Sequence, residues 1–254
     1  MKDVLVARNL KKVYGGRGTS YTALHGIDLT IKEGEYVAVM GPSGAGKTTL
    51  LNLIATIDSP TEGEILIGGN NVVKMSEAEL SSFRRDKLGF IFQDYNLLDN
   101  LTVKENIVLP LALARADHNI IEKRIGEIAS TLQIGDILEK YPYEISGGQK
   151  QRTAASRAVI SQPELILADE PTGNLDSSSS KELLEYLTGL NKAYQATILM
   201  VTHDAFAASY CKRILFIKDG RIYTELNRGS SRKEFFQKIM DVLKSLGGDV
   251  NDLI

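Results

Sequence analysis

The pattern of apolar and polar residues predicts a chain in which strands and helices alternate. Three short runs, at residues 36–40, 165–168 and 197–201, are almost continuously apolar, which is typical of parallel strands buried on both faces. Residues 4–10 and 23–31 predict two further strands, and the glycine-rich segment between them predicts a flexible loop. The remaining predicted strands are 64–67, 88–92, 214–217 and 221–226, the last two flanking a hairpin turn at 218–220.

The strand pattern fades between residues 94 and 160. Apolar positions recur there at helical spacing, as at Ile121, Ile125 and Ile128. We therefore expect a helical subdomain that is inserted between strands of the core. Further helices are predicted at 49–55, 76–85 and 177–194.

The C-terminal segment 232–246 predicts an amphipathic helix with Phe235, Ile239, Val242 and Leu246 on one side. We expect this apolar face to pack on the core of the same chain, while docking to a partner protein stays open as the alternative. The residues that follow the helix are expected to be frayed.

Composition and charge narrow the classes of function. The chain has 254 residues, 43% of them hydrophobic and 24% charged, which is enough apolar material for a sizeable core. The net charge of −2 gives no overall electrostatic footprint for nucleic acid, so no nucleic-acid partner is expected. Cys211 is the single cysteine, which excludes an intrachain disulfide and fits a reducing compartment. The sequence has neither a signal-peptide pattern nor a membrane-length apolar run, so we expect any membrane role to act through a partner.

Residues 41–48, Gly-Pro-Ser-Gly-Ala-Gly-Lys-Thr, carry the strongest chemical signal in the chain. They lie between a predicted strand and a predicted helix, which is the context that a phosphate-binding loop requires. Glycines admit backbone angles that let main-chain N–H groups surround phosphate oxygens, and the helix adds the positive end of its dipole. Lys47 would reach the β- and γ-phosphates, and the Thr48 hydroxyl would be a ligand of Mg²⁺. The sequence therefore predicts binding of a nucleoside triphosphate.

Two further segments are informative when they are considered together with this loop. Asp169 and Glu170 follow the apolar run 165–168, and ligands of parallel α/β sheets bind at the carboxyl ends of strands. Asp169 would hold Mg²⁺ through water and Glu170 would polarise the attacking water, although the pair could also be an acidic strand end before a turn. The segment 146–149, Ser-Gly-Gly-Gln, begins a helix with a good N-cap and open backbone amides, and alone it would be only a capped helix start.

Together these motifs resemble the nucleotide-binding subunits of ABC transporters, over residues 3 to about 228. One departure is Ile145, which replaces the leucine that usually leads the family signature. The motifs are, in chain order, Walker A at 41–48, the Q-loop at Gln93, the signature at 146–149, Walker B at 165–169, the D-loop at 173–176 and the switch histidine His203.

This resemblance implies an α/β fold with a P-loop NTPase core of the RecA-like type, an antiparallel β subdomain and an inserted α-helical subdomain. The ABC ATPase domain would span residues 1–228, with its core at 1–93 and 161–228 and the helical subdomain at about 94–160. Residues 229–254 would form the C-terminal amphipathic helix and tail.

The resemblance also implies ATP and Mg²⁺ as cofactors and assigns roles to individual residues. Tyr14 is expected to stack on adenine, with Tyr21 as the second choice. Glu170, His203 and Lys47 are expected to be catalytic, although His203 could otherwise cap a helix. The expected metal ligands are Thr48, Gln93 and Asp169. The residues expected to bind ATP within one chain are Tyr14, Gly41, Ser43, Gly44, Ala45, Gly46, Lys47, Thr48, Thr49, Gln93 and Asp176. The residues expected to bind the ATP of a second copy are Ser146, Gly147, Gly148 and Gln149.

Partners follow from a finer resemblance. Residues 89–110 look like the ATPases of lipoprotein-release, cell-division and macrolide-export systems, and segments 208–213 and 216–220 are similar to the bacitracin-resistance type. That type implies a head-to-tail dimer with a second copy, a separate membrane permease and a sensor kinase reached through the permease. The protein would then lie at the cytoplasmic face of a bacterial cell membrane.

Two other classes of function stay open. One is a soluble ABC-type ATPase of DNA repair or of ribosomes, although the chain has neither a long coiled-coil insert nor a second ATPase unit. The other is a mechanical role in a cell-division complex with a membrane partner.

Overall fold

Strands and helices alternate along the computed structural model, which describes residues 2–16 and 18–247. Most of the predicted elements are present, with boundaries that differ by a few residues. The strands are β1 (Asp3–Gly16), β2 (Thr19–Lys32), β3 (Tyr36–Met40), β4 (Glu62–Ile67), β5 (Asn70–Asn71), β6 (Leu88–Ile91), β7 (Leu165–Asp169), β8 (Ile198–Val201), β9 (Arg213–Lys218) and β10 (Arg221–Asn227). The helices are α1 (Lys47–Ile54), α2 (Glu77–Lys87), α3 (Val103–Leu113), α4 (His118–Thr131), α5 (Gly147–Val159), α6 (Ser177–Tyr194), α7 (Ala205–Ala208) and α8 (Arg232–Ser245).

A six-stranded sheet sets the geometry of the molecule. Its strands follow the order β10-β9-β3-β8-β7-β6, and all of them run parallel except β10, which pairs antiparallel with β9. The register pairs Val39 of β3 with Val201 of β8, and Val201 with Asp169 of β7. The carboxyl ends of the parallel strands therefore meet at one edge of the sheet.

Both faces of this sheet are covered, which explains the continuous apolar runs. On β3, Val37 and Val39 belong to a core shared with the second sheet, whereas Tyr36, Ala38 and Met40 belong to a core formed with helices. All five side chains are buried. Successive strand residues point to opposite faces, so a strand without polar positions needs a cover on both sides.

The second sheet is antiparallel, with the order β2-β1-β4-β5. It contributes Leu5, Leu24 and Ile65 to the core that it shares with the larger sheet and with α1. This sheet corresponds to the antiparallel β region that the family resemblance implies.

The hairpin of β1 and β2 corrects one prediction. The segment 15–21, predicted as a flexible loop, is mostly strand, and Tyr14 pairs with Tyr21 across the hairpin. The glycines that indicated a loop instead have positive φ angles within the hairpin, 101° at Gly15 and 124° at Gly18. Composition alone therefore underestimated how far the two strands extend.

The chain between β6 and β7 is helical, as its pattern predicts. Helices α3 and α4 share a core of their own, which includes Val103, Ile125 and Leu132. A capping box begins α3, in which the Thr102 hydroxyl accepts from the Glu105 N–H and the Glu105 carboxylate accepts from the Thr102 N–H. The boundaries of this region as a subdomain stay a prediction. Among the described residues, no helix is both long enough and apolar enough to cross a bilayer.

The C-terminal helix α8 packs on its own chain, which confirms the expected packing of its apolar face. Phe235, Ile239, Leu243 and Leu246 are buried in the core that covers the helical face of the larger sheet. Leu243 takes the position that the pattern gave to Val242, which is only partly buried. The tail predicted to be frayed lies, from residue 248 onward, outside the described residues.

Ile239→Ala is expected to lower the free energy of unfolding by about 2–5 kcal/mol, because it removes a fully buried side chain and leaves a cavity. Lys238→Ala, at an exposed position of the same helix, should change that free energy by less than about 0.5 kcal/mol. Urea unfolding followed by circular dichroism measures both. Equal stability of the two variants would contradict a structural role for α8.

Candidate active site

Four parallel strands bring the predicted chemical groups to one edge of the larger sheet. Loop 41–48 follows β3, Asp169 ends β7, His203 follows β8 by two residues, and Gln93 follows β6 by two residues. These strands are neighbours in the order β3-β8-β7-β6, and adjacent strands lie about 4.8 Å apart. The phosphate loop, the acidic pair, the histidine and the glutamine therefore occupy a single edge.

The phosphate loop, residues 41–48, has a backbone that requires glycine at two points. Gly46, at the N-cap of α1, has a φ of 99°, and a Cβ there would lie 2.7 Å from the Ala23 carbonyl oxygen. A Cβ on Gly41 would collide with the Ile217 carbonyl oxygen. No side chain caps α1 and no acidic residue lies in its first turn, so its first N–H groups are available to an anion.

Lys47 lies over this loop. Its Nζ donates to the carbonyl oxygens of Gly41 at 2.8 Å and of Pro42 at 2.9 Å. Burial lowers the pKa of the Lys47 ammonium, and the charges of Glu170 and Asp169 oppose this shift. An anion bound at the loop would stabilise this partly desolvated positive charge.

The two carboxylates at the end of β7 are held differently. Asp169 is half-buried, and burial together with the charge of Glu170 raises its pKa, while Lys47 opposes the rise. Glu170 has a left-handed φ of 44°, and its N–H donates to the Val201 carbonyl oxygen of β8 at 2.9 Å. Adjacent β-strands thus fix the backbone that carries both acidic groups.

The Glu170 side chain contacts His203. Its Oε1 accepts from the His203 backbone N–H at 3.1 Å and lies 2.8 Å from His203 Nδ1. The Glu170 side chain is 18% exposed and that of His203 is 65% exposed, so the pair opens to solvent on the histidine side. The alternative that His203 caps a helix does not hold, because Asp204 is the N-cap of α7 and accepts from the Phe206 N–H at 2.7 Å.

Gln93 is held by Asn174, a D-loop residue to which the sequence assigned no role. Gln93 Nε2 donates to Asn174 Oδ1 at 3.2 Å. Asn174 Nδ2 donates to the Gln93 carbonyl oxygen at 3.2 Å and to Asp94 Oδ1 at 2.9 Å, and the Tyr95 hydroxyl donates to the Asn174 carbonyl oxygen at 3.3 Å. Gln93 and Asn174 are 81 positions apart, so no local sequence pattern could have paired them.

Asp176, which the sequence predicts to bind ATP, is the N-cap of α6. Its carboxylate accepts from the N–H groups of Ser178 at 2.9 Å and Ser179 at 3.0 Å, and from the Ser179 hydroxyl at 2.7 Å. Hydrogen bonds from Ser179 hold the pKa of Asp176 below its usual value. The observed role is therefore helix capping, and contact with ATP stays a prediction.

Tyr14 and Tyr21 lie side by side near the end of the β1–β2 hairpin. The Tyr14 hydroxyl donates to Asp58 Oδ2 at 2.9 Å, the Lys12 ammonium lies 4.8 Å from the centre of the Tyr14 ring, and 40% of Tyr14 is exposed. The Tyr21 hydroxyl donates to the Gly44 carbonyl oxygen at 3.4 Å. The hairpin thus touches the phosphate loop, although stacking of Tyr14 on adenine stays a prediction.

The signature segment begins α5 with a capping box. Ser146 Oγ accepts from the Gln149 N–H at 3.3 Å, and Gln149 Oε1 accepts from the Ser146 N–H at 2.9 Å. A Cβ on Gly148 would lie 2.8 Å from the Ser179 hydroxyl oxygen, and one on Gly147 would lie 3.1 Å from the Tyr95 hydroxyl oxygen. The contacts described for this segment are with α6, with Tyr95 and with the D-loop, and not with the phosphate loop of the same chain.

A family model described as "ABC transporter" matches residues 24–173, which is more than half of the chain. The chain belongs to the ABC transporter family. It is an ABC-type ATPase that binds ATP, and the expected α/β P-loop fold class is confirmed.

Named ATP-binding proteins of this family are similar over nearly their whole length. The uncharacterised YvcR of Bacillus subtilis (strain 168) is 56% identical over 98% of this chain and 97% of that protein. The bacitracin export protein BceA of Halalkalibacterium halodurans is 51% identical over 98% of this chain and 99% of that protein. The lipoprotein-releasing system protein LolD of Aquifex aeolicus is 41% identical over 90% of this chain and all of that protein.

Solved ABC cassettes have the same fold. A dimeric structure of MJ0796, a protein of Methanocaldococcus jannaschii, has a TM-score of 0.80 and 39% identity, over 89% of this chain and 99% of that chain. A dimeric post-hydrolysis structure of MJ0796 bound to ADP and phosphate gives the same values.

The residues at the sheet edge of this ABC ATPase fit a triphosphate and a divalent cation. The glycine-built loop and the uncapped start of α1 offer N–H groups, and Lys47 adds a partly buried positive charge. Burial and, after it, the charge of Glu170 raise the pKa of Asp169, and a cation with a preference for oxygen ligands would stabilise the ionised carboxylates.

Gly46→Ala is expected to weaken ATP binding by about tenfold or more, because its Cβ would meet the Ala23 carbonyl oxygen and displace the loop. Gly69→Ala is the matched control, since Gly69 has a similar φ of 85° but no atom within 4 Å of an added Cβ. Titration with a fluorescent ATP analogue measures both dissociation constants. Equal affinities in the two variants would contradict this account of the loop.

Proposed function

We propose that this ATPase drives a membrane transporter that protects a bacterium against cell-wall-active antimicrobial peptides such as bacitracin. The supporting observation is the 51% identity with the bacitracin export protein BceA over almost all of both chains. LolD, at 41%, is a more distant relative, so lipoprotein release is the alternative, together with macrolide export and cell division. A soluble ABC ATPase without a permease is the less favoured possibility.

Hydrolysis in this proposal uses the residues at the sheet edge. Residues 41–48 and Thr49 bind the phosphates, and Lys47 exchanges its two loop carbonyls for β- and γ-phosphate oxygens. Glu170 accepts a hydrogen bond from the attacking water and orients it. His203 lies against Glu170 and contacts the γ-phosphate.

The proposed metal ligands come from three neighbouring parts of the same edge. Thr48 lies in the first turn of α1, Asp169 ends β7, and Gln93 follows β6. When bound there, Mg²⁺ would supply positive charge beside the phosphate oxygens. Tyr14, with its ring partly exposed near the phosphate loop, would stack on adenine.

A second copy of the chain completes the proposed site. The signature segment 146–149 lies at the start of α5, where backbone N–H groups and the helix dipole favour an anion. In a head-to-tail dimer it would face the γ-phosphate held by the other copy, and Asp176 would lie near the dimer interface. The dimeric structure of the related MJ0796 supports the formation of a dimer.

The remaining partners are proposed from the resemblance to the bacitracin-resistance type alone. A separate permease would hold the dimer at the cytoplasmic face of the membrane, and a sensor kinase would be reached through that permease. Copurification from solubilised membranes, with the partner identified by its mass, tests the permease directly.

Glu170→Gln is expected to lower ATP turnover by about 100-fold or more, because the amide is a poor base for orienting water. ATP should then hold the protein as a stable dimer, which light scattering detects. Ser146→Arg in the Glu170→Gln background is the matched control, and it should keep the protein monomeric by blocking the signature segment. A monomer of Glu170→Gln at saturating ATP would contradict the shared site.

Loss of this ATPase is expected to make its bacterium several-fold more sensitive to bacitracin. Wild-type protein should restore resistance and Lys47→Ala should not, because resistance would depend on ATP hydrolysis. The measurement is the minimal inhibitory concentration of bacitracin, with a macrolide as the comparison drug. Unchanged bacitracin sensitivity would reject the proposed role, and a change confined to the macrolide would favour the alternative.

A further inference from the structure

We propose that Asp94 and Asn174 act as positioning residues that fix the orientation of the Gln93 side-chain amide, so that its oxygen is presented to the metal. The inference deepens the proposed function, because it rests on the proposed role of Gln93 as a metal ligand. The inference concerns the hydrogen bonds between Gln93 of the Q-loop and Asn174 of the D-loop, a contact that the sequence did not predict.

The first step is the charge on Asp94. An ionised carboxylate has only acceptor atoms, so whatever binds it must donate. Asp94 Oδ1 lies 2.9 Å from Asn174 Nδ2. The Asn174 amide is therefore oriented with its nitrogen toward Asp94.

The second step is the Gln93 backbone, which fixes the same orientation independently. The Gln93 carbonyl oxygen, also only an acceptor, lies 3.2 Å from Asn174 Nδ2. Both hydrogens of the Asn174 nitrogen are thereby used. A flipped Asn174 would place its oxygen against two acceptors and lose both hydrogen bonds.

The third step passes this orientation to the Gln93 side chain. With its nitrogen committed, Asn174 can offer only Oδ1 to Gln93, and Gln93 Nε2 donates to that oxygen at 3.2 Å. Gln93 Oε1 is then the end of the amide left for another partner. Mg²⁺ binds oxygen and not amide nitrogen, so this is the end that a metal ligand must present.

The surrounding backbone keeps the two loops in contact. A Cβ on Gly173 would lie 2.8 Å from Gln93 Nε2, so glycine permits the close approach. The Tyr95 hydroxyl donates to the Asn174 carbonyl oxygen, and the Arg157 guanidinium donates to the Tyr95 carbonyl oxygen at 2.8 Å. Gln93 is an exposed residue, which would otherwise sample many rotamers, and these contacts restrict it.

The test uses full-length protein with the Glu170→Gln substitution, so that ATP is bound without turnover. Manganese stands in for magnesium, and electron paramagnetic resonance measures Mn²⁺ binding to the ATP-loaded protein. Asn174→Leu keeps the side-chain size but removes every side-chain hydrogen bond, and it should weaken Mn²⁺ binding by about tenfold, as is usual for residues that orient metal ligands. ATP affinity measured without metal should stay unchanged. Asn100→Leu, at an exposed position in the same loop region, is the matched control and should bind Mn²⁺ normally.

A charge exchange distinguishes positioning from general structural support. Asn174→Asp still accepts from Gln93 but sets a carboxylate against Asp94, so it should weaken Mn²⁺ binding. Adding Asp94→Asn supplies a donor to that carboxylate and should restore part of the Mn²⁺ binding in the double variant, because the Gln93 carbonyl oxygen still lacks its donor. A double variant that binds Mn²⁺ no better than Asn174→Asp alone, or normal Mn²⁺ binding by Asn174→Leu, would overturn the proposal.

Gln93→Ala separates this inference from the proposed function on which it rests. If Gln93→Ala leaves Mn²⁺ binding unchanged, Gln93 is not a metal ligand, and both its proposed ligand role and the positioning role of Asp94 and Asn174 fail. If Gln93→Ala weakens Mn²⁺ binding and Asn174→Leu does not, the ligand role stands and the positioning role fails.

Discussion

Parallel pairing of β3, β8, β7 and β6 is the constraint on which the candidate site depends. The register sets Asp169 beside Val201, so the residues that follow, Glu170 and His203, emerge at the same edge and come into contact. A slip of one residue in β7 would turn Asp169 to the opposite face of the sheet. The same slip would move every buried side chain of β7 to the opposite face of the sheet. Packing in the two cores therefore stabilises the register on which the site depends.

One strained backbone position, Glu170, lies at this edge. The left-handed conformation of Glu170 costs on the order of 1–3 kcal/mol for a residue with a Cβ. The Glu170 N–H donates a hydrogen bond to the neighbouring strand, and the Glu170 carboxylate accepts one from the His203 N–H. A hydrogen bond to a charged group contributes about 1.5–3 kcal/mol to stability. The contacts that orient the carboxylate are therefore of the size needed to offset the strain.

The sequence predicted those parts of the fold and site that depend on local pattern. Continuous apolar runs identified the buried strands, and glycine spacing identified the phosphate loop, because both reflect constraints within a few residues. The hairpin that joins Tyr14 and Tyr21 was underestimated, since glycine favours turns and loops equally. The hydrogen bonds between Gln93 and Asn174 join distant segments, and the sequence motif did not indicate that Asp176 caps a helix. Contacts of this kind depend on the order of the strands in the sheet, which a short stretch of sequence does not reveal.

The motifs differ in what an incoming phosphate must displace. The signature segment satisfies its own helix start through Ser146 and Gln149, and Asp176 does the same for α6, so both are ordered within one chain. In the proposed dimer, association would therefore carry little cost for ordering these segments. Lys47 is the opposite case, because its hydrogen bonds to Gly41 and Pro42 occupy the donors that a phosphate would use. In the proposed mechanism, phosphate binding at the loop is an exchange of acceptors at one partly buried ammonium, whereas the signature segment is ordered before two copies would meet.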